Sequence, residues 1–351
     1  MKKAFLLLLV FIMVISLPSC TKTDKRQEFK AYYFEWFDTV TIITGYEESK
    51  DVFDKRVKEI EEIFSKYHKM YDIYTKYQGV NNLAVINEVK NGVHSEIPVE
   101  QEIIDLIKFS KELYKTTGGK FNIALGSVLS IWHTYREEGM DNPSEAKIPP
   151  IETLESAAQH IDINSIILDE ANKTVFISDA KTKIDVGAVA KGYACEMAAR
   201  YLEDSGVSGY VINAGGNIRT IGSKLNGDKW TVGIENPDTS DKETPYIEYL
   251  ALDGQALVTS GNYQRFYIVD GKNYHHIIDP DTLMPSDKYM SVSVLANDSG
   301  LADGLSTALF NMSIEDGKSL VETLSDVEAL WVLPNGEKVY SKGFSKFIIN
   351  K

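Results

Sequence analysis

Four stretches carry side chains whose types and spacing could do chemistry. In Ser299–Leu309, SGLADGLSTAL, Asp303 and Thr307 are four residues apart, so a helix would put both on one face. With Ser306 alongside, the donors are all oxygen, the kind Mg²⁺ prefers over Zn²⁺. One carboxylate and two hydroxyls are too few to cage the ion. They suit a Mg²⁺ that keeps waters and takes phosphate oxygens from a substrate. The plain alternative is an acid favoured in the first turn of a helix and a threonine on the surface.

The second stretch, Lys183–Ala194 (KIDVGAVAKGYA), brings a strand end with Asp185 to a turn at Gly187 and then to a helix start with Lys191-Gly192. Glycine admits close approach of a ligand to the backbone, and free amides plus a lysine favour phosphate. It is neither a Walker A loop nor the three-glycine dinucleotide fingerprint, and a tight turn with a solvated lysine also accounts for it. In the third, Gly209–Gly222, the Gly215-Gly216-Asn217 triplet follows an apolar strand and either wraps a ligand or makes a turn. The fourth, Val258–Pro285, contains Ser260-Gly261, Arg265, His275-His276 and Asp279-Pro280. Adjacent residues of a strand face opposite sides, so at most one histidine points into a given site. A histidine just before the Ile-Asp-Pro turn is placed for general base work, although a lone histidine is more often structural.

The elements that must position these residues follow from periodicity. Tyr32–Thr44 reads as a strand, and Phe53–Tyr71 as an amphipathic helix with apolar residues at 53, 57, 60, 64, 67 and 71. Further helices are expected at 100–116, ending at Gly118-Gly119, and from Pro149-Pro150 to His160. Others are expected at 188–204, 302–311 and 315–324. Residues 165–168 and 174–178 form a hairpin around Asn172. Later hairpins are expected at Asn226-Gly227, Asp253-Gly254, Asp270-Gly271 and Asn335-Gly336. Hairpins and helices interleave without a βαβ rhythm. The expected fold is therefore α+β, one large domain over residues 31–351 with largely antiparallel sheets and packed helices.

The N-terminus sets the compartment. Lys2 and Lys3 precede the apolar run Ala4–Leu17, which as a helix spans roughly 20 Å, short of the ~30 Å bilayer core. It reads as a signal peptide over residues 1–19. Leu17-Pro18-Ser19-Cys20 resembles the bacterial lipobox, which implies acylation at Cys20, a tether over residues 20–30 and an exported chain facing the periplasm or cell exterior. Cys195 is the one other cysteine, so an acylated Cys20 leaves no intrachain disulfide. Losing Lys2 and Lys3 and no acid takes the formal charge from −14 to −16. So acidic a chain excludes nucleic acid as a partner and needs a cation to hold an anionic ligand.

Taken in order, DVGAVAKGYA, VINAGGNI, the TSG…R…HIIDP segment and ADGLSTAL resemble the ApbE family of FAD:protein FMN transferases, from about Phe34 to Val332. The resemblance implies Mg²⁺ held by the Ala188 carbonyl, Asp303 and Thr307, with Ser306 beside them. It implies FAD as substrate, contacting Phe37, Tyr74, Phe121, Asn122, Ile123, Asp185, Lys191 and Ile278. FMN would pass to a threonine or serine hydroxyl of an acceptor, an electron-transport subunit or other exported redox protein, with His276 or Asp279 as base and AMP leaving. Rival readings are a Mg²⁺-dependent FAD pyrophosphatase and a non-catalytic FAD-binding lipoprotein. The chain departs from the family pattern at Asn122, where an aspartate is usual, at Gly126-Ser127, where proline is absent, and at Gly304, where alanine is typical.

Overall fold

The computed structural model describes residues 25–90 and 92–349; the signal segment 1–19, Cys20 and the start of the tether lie outside the described residues. Of the stretch expected as a tether over 20–30, residues 27–30 are strand: β1 (Gln27–Trp36) pairs with β2 (Thr39–Glu47) from Gln27 opposite Glu47. The single strand expected over 32–44 is thus two. Between them Phe37 and Asp38 both take left-handed conformations, with φ of 53° and 51°, which non-glycine residues adopt at a cost and often beside functional sites.

Helix α1 (Lys50–Tyr71) starts at Ser49, whose hydroxyl accepts from the Val52 amide, and buries Phe53, Val57, Ile60 and Phe64. Burial of each such side chain contributes about 1.5–3 kcal/mol. The short α2 (Leu83–Ile86), β3 (Val89–Lys90), β4 (Val93–His94) and β5 (Ile97–Pro98) lead to α3 (Gln101–Thr116). Then come α4 (Gly126–Asp141), α5 (Ile151–Ala158), and the hairpin of β6 (Ile166–Asp169) and β7 (Thr174–Ile177). Helix α6 (Ala190–Asp204) is followed by β8 (Tyr210–Ala214), β9 (Asn217–Ile221), β10 (Trp230–Glu235), β11 (Tyr246–Leu252) and β12 (Ala256–Gly261). The chain closes with β13 (Phe266–Val269), β14 (Lys272–His275), β15 (Ser291–Ala296), α7 (Ser299–Phe310), α8 (Ile314–Thr323), β16 (Glu328–Val332) and β17 (Lys338–Tyr340).

Eight strands form one sheet in the order β1-β2-β8-β9-β12-β15-β16-β17, antiparallel at every pairing, as the α+β reading requires. Both faces are covered. Ala256, Val258, Val292 and Val294 join the core under α7, while Leu257, Leu295 and Leu330 alternate into a second core beneath the β10–β11 ribbon. Two buried faces explain why β15 is apolar or small along its whole length rather than alternating. The turns at Asp270-Gly271 and Asn335-Gly336 close true hairpins. Those at Asn226-Gly227 and Asp253-Gly254 do not, since β10 and β11 pair with each other and not with β9 or β12. Turn chemistry sets where the chain reverses; the neighbouring hydrophobic faces decide which strand it rejoins. Helix α4 was not expected from the sequence. Among the described residues no helix is long and apolar enough to cross a membrane.

Helices α6 and α7 approach too closely for a side chain between them. A Cβ on Gly192 would lie 2.3 Å from the Ser299 carbonyl oxygen and 2.5 Å from the Asp303 Cβ. Gly304 faces the other way, and a Cβ there would meet Leu113 of α3 at 2.2 Å, which is why this chain departs from alanine at that position. Gly192→Ala is expected to destabilise the protein by about 1–3 kcal/mol, since the obstacle is backbone rather than a movable side-chain tip. Urea unfolding of the two proteins measures this directly.

Candidate active site

A cavity of about 610 Å³ opens where the N-terminal ends of α6 and α7 meet the β1–β2 turn, α4 and the β14 end. At its base Asp303 is 5% exposed, and its Oδ2 accepts the Gly192 amide, in the first turn of α6, at 2.8 Å. Thr307, one turn further along α7, lines the cavity together with Ala188 in the turn before α6. Burial raises the Asp303 pKa above the usual carboxylate range, against the opposing pull of Lys191 and the Gly192 amide. A carboxyl so placed gives up its proton most readily to an arriving cation. Among the described residues no group of three or more His, Cys, Asp or Glu side chains could hold a metal alone. The donors here, one carboxylate oxygen, one hydroxyl and one turn carbonyl, fit a hard divalent cation that shares its coordination with phosphate.

Ser306, expected beside these ligands, does not line the cavity. Its hydroxyl donates to the Asp303 carbonyl at 2.8 Å and shares a 2.8 Å hydrogen bond with Ser260, so it fastens α7 to β12. Lys191 extends its Nζ to Asn217 Oδ1, 3.1 Å away. Opposite, Gly215 (φ 59°) turns the β8–β9 loop against Thr39, where any Cβ would sit 1.9 Å from the Thr39 hydroxyl. The VINAGGNI segment therefore both makes the turn and lines the cavity.

Both histidines line the cavity, but they differ in how their nitrogens are engaged. His275 is buried and fully engaged, with Nε2 2.7 Å from the Ser286 carbonyl and Nδ1 accepting the Ile277 amide at 3.2 Å. His276 lines the cavity, and its buried Nδ1 has no hydrogen-bond partner. Burial, then the charges of Arg265, His275, Arg136 and Lys191, push its pKa down to about 3. Asp279 was expected as an alternative base and does not line the cavity. Its carboxylate takes Lys120 at 3.0 Å and Lys288 at 2.7 Å, and it stays ionised through those hydrogen bonds, which outweigh its burial.

Most residues expected on the flavin side line the cavity. Tyr74, Phe121, Asn122, Ile123, Asp185 and Ile278 all line the cavity. Asn122 serves the loop as well, donating to the Ile161 carbonyl at 2.9 Å and accepting from the Ala124 amide at 2.8 Å. Asp185 accepts the Gly187 amide at 2.8 Å, and burial raises its pKa. Phe37 is not a lining residue: its ring packs edge-on to His68 at 5.4 Å, and its neighbours Asp38 and Thr39 reach the cavity instead. Trp132, His133 and Arg136 were missed altogether, because they come from α4. The His133 ring lies 5.2 Å from that of Tyr74. Their recurrence at 129, 132, 133 and 136 was the available signal.

Residues 37–331, which contain this whole cavity, match the ApbE family. The chain belongs to the ApbE family. It is similar to the FAD:protein FMN transferase of Klebsiella pneumoniae (strain 342), 29% identical over 280 residues, covering 80% of this chain and 83% of the relative. It is similar also to that of Haemophilus influenzae, 25% identical over 331 residues, with 92% and 91% covered. The ApbE protein of Thermotoga maritima superposes with a TM-score of 0.79 at 29% identity, covering 92% of this chain and all of that one. The flavin transferase ApbE from Vibrio cholerae, at 23% identity, shares the fold with a TM-score of 0.75, covering 92% of this chain and 99% of that one.

In this ApbE chain the neutral state of His276 has a measurable signature. The folded imidazole stays unprotonated until pH falls to about 3, whereas in the unfolded chain it takes a proton near ~6.5. Between these values the unfolded state binds more protons, so this histidine's stabilising contribution is complete above the upper value and declines as pH falls through the window. NMR of the His276 ring protons in the ligand-free protein should show no titration between pH 5 and 8. An inflection near 6.5 would contradict the environment described.

Proposed function

We propose that this chain transfers the FMN half of FAD to a threonine or serine hydroxyl of an acceptor protein, releasing AMP and requiring Mg²⁺. The observation that carries the reading is one cavity joining the Asp303–Thr307 oxygen set to the unpartnered, neutral Nδ1 of His276. The relatives' activity supplies the substrate, and the lining supplies a place for it. Phe121, Ile123, Ile278 and Tyr74 offer apolar and aromatic surface for flat rings, and Lys191 offers charge for a pyrophosphate.

Asp303, Thr307 and the Ala188 carbonyl would hold the Mg²⁺, which when bound supplies charge neutralisation to the pyrophosphate. Lys191, at the start of α6, fixes the same anion from the protein side. The acceptor hydroxyl attacks the phosphorus on the FMN side; its oxygen–phosphorus bond forms as the bond to the AMP oxygen breaks. His276 Nδ1 takes the hydroxyl proton, and nothing inside the protein competes for that nitrogen. Positioning and electrostatics carry most of the rate, as in other phosphoryl transfers.

The compartment is also our proposal. The charged n-region, the apolar run and Leu17–Cys20 support export and lipid anchoring at Cys20, and exported redox proteins are then the accessible acceptors. Cys20→Ser should release the protein from the membrane fraction, read by fractionation and mass spectrometry of the N-terminus.

His276→Ala should lower turnover by about 10²–10⁴-fold with FAD binding retained, and Asp303→Ala should abolish it. The assay is chromatographic, quantifying AMP and FMN from FAD with Mg²⁺ or EDTA, with and without an exported acceptor fraction. AMP without free FMN, only with acceptor and Mg²⁺, is the expected result. Equal AMP and FMN without acceptor would make the protein a pyrophosphatase, and no product despite bound FAD would make it a flavin binder.

A further inference from the structure

Helices α6 and α7 are joined by two hydrogen bonds running in opposite directions, one at the base of the cavity and one behind it. The Gly192 amide of α6 donates to Asp303 of α7 at 2.8 Å, and the Ser299 amide of α7 donates to Glu196 Oε2 of α6 at 2.9 Å. In each helix the amide and the carboxylate are four residues apart, one above the other on the same face. Residue 192 opposite 303 and 196 opposite 299 make the helices antiparallel, with the first turn of each beside the second turn of the other. The amide-rich start of each helix is thus met by a carboxylate of the other. The approach is close on both sides, since a Cβ on Gly300 would lie 3.2 Å from the Tyr193 Cα.

Glu196 is itself locked. Its Oε2 also takes Arg219 Nε at 2.9 Å, with both side chains 4% exposed, and its Oε1 takes Arg200 Nε at 3.2 Å. Arg219 further donates to the carbonyls of Thr220 and Gly254 at 2.6 and 2.7 Å and to Glu203 at 2.9 Å, so its position is set by four partners. Arg219 is two residues along β9 from Asn217, whose Oδ1 holds Lys191. The same face of one strand therefore holds both Lys191, which lines the cavity, and the lock behind it. Apolar residues could fill this buried space at no loss of stability. They could not accept the Ser299 amide or hold α7 at this height against α6.

We propose that Glu196, fixed by Arg219, is a positioning residue for the cation site. It sets the crossing of α6 on α7, and with it the placement of Asp303 and Thr307 against Ala188 and Lys191. The proposal rests on the metal reading above and assigns the setting of that site to a pair that touches neither cation nor substrate.

Mn²⁺ serves as the probe, its dissociation constant read by electron paramagnetic resonance on the full chain in detergent with saturating FAD. Glu196→Gln should raise that constant about 10- to 100-fold, the effect typical of partners that orient a metal ligand. FAD affinity in EDTA, read by flavin fluorescence, should stay within about twofold, and added Mg²⁺ should restore most of kcat. Arg219→Lys, which keeps the charge but loses the fork of donors, should shift the Mn²⁺ constant in the same direction by less. Should Glu196→Gln fail to fold, Glu196→Asp tests the same point, being too short to reach both Ser299 and Arg219. Unchanged Mn²⁺ affinity in a folded Glu196 variant would overturn the proposal, as would an equal loss of FAD affinity in EDTA, the mark of general damage. No Mn²⁺ binding by the unaltered protein would overturn the metal reading as well, and so separates the two failures.

Discussion

The contact on which the site depends is the hydrogen bond from the Gly192 amide to Asp303, made where two helices cross too closely for any side chain at position 192. A carboxyl withdrawn from water is costly unless it is paired. Here one oxygen takes a helix N-terminal amide, and Lys191 adds a favourable charge nearby. That compensation is partial, and the raised proton affinity of Asp303 is the measure of the remainder. A carboxyl held this way binds a proton more tightly than one in water, and in the proposed reading a cation would take that proton's place.

The opposite side of the cavity is tuned by the opposite charge. Arg265, Arg136 and Lys191 surround His276 and, with its burial, keep it neutral. The protein is acidic as a whole, with a formal charge of −14, yet these cations are gathered where a pyrophosphate would lie. Local field rather than net charge governs a ligand inside a cavity, because distant surface charges are screened over about 8–10 Å. The same cations that suit an anionic ligand keep the His276 imidazole unprotonated.

Much of the fold was legible because its amphipathic helices carry clean periods. Helices α1, α3, α6, α7 and α8 all fall within a few residues of expectation. Helix α7 begins a turn early, since Asp298 caps it by accepting the Leu301 amide. Helix α4 went unread because it opens on Gly126-Ser127 and contains Gly139, residues that weaken helix propensity. Those glycines are there for contacts with Lys183 and Tyr267 that no local pattern reveals. With α4 went Trp132, His133 and Arg136. Phe37, Ser306 and Asp279 carry the right chemistry in the right segments, but their orientations differ from expectation. A backbone turn, a neighbouring hydroxyl and two lysines decide these.

The sequence by itself narrowed the class of chemistry, because residue types and their spacing along one chain survive without coordinates: two oxygen-bearing side chains four apart on a helix, a lysine at a helix start, and two adjacent histidines before an Ile-Asp-Pro turn. It also determined an antiparallel α+β architecture, since local period and turn residues specify element type. Only the tertiary structure decided which histidine nitrogen lacks a partner, which carboxylate lines the cavity and which is tied up by lysines. Those outcomes depend on partners 9 to more than 150 residues away, such as Lys288 and Lys120 on Asp279 and Gly192 on Asp303. The pairing of β10 with β11 and the reciprocal hold of α6 on α7 belong to the same category. Long-range packing selects among the orientations that local sequence leaves equal, and at this site the selection separates a carboxyl that lines the cavity from one held in ion pairs.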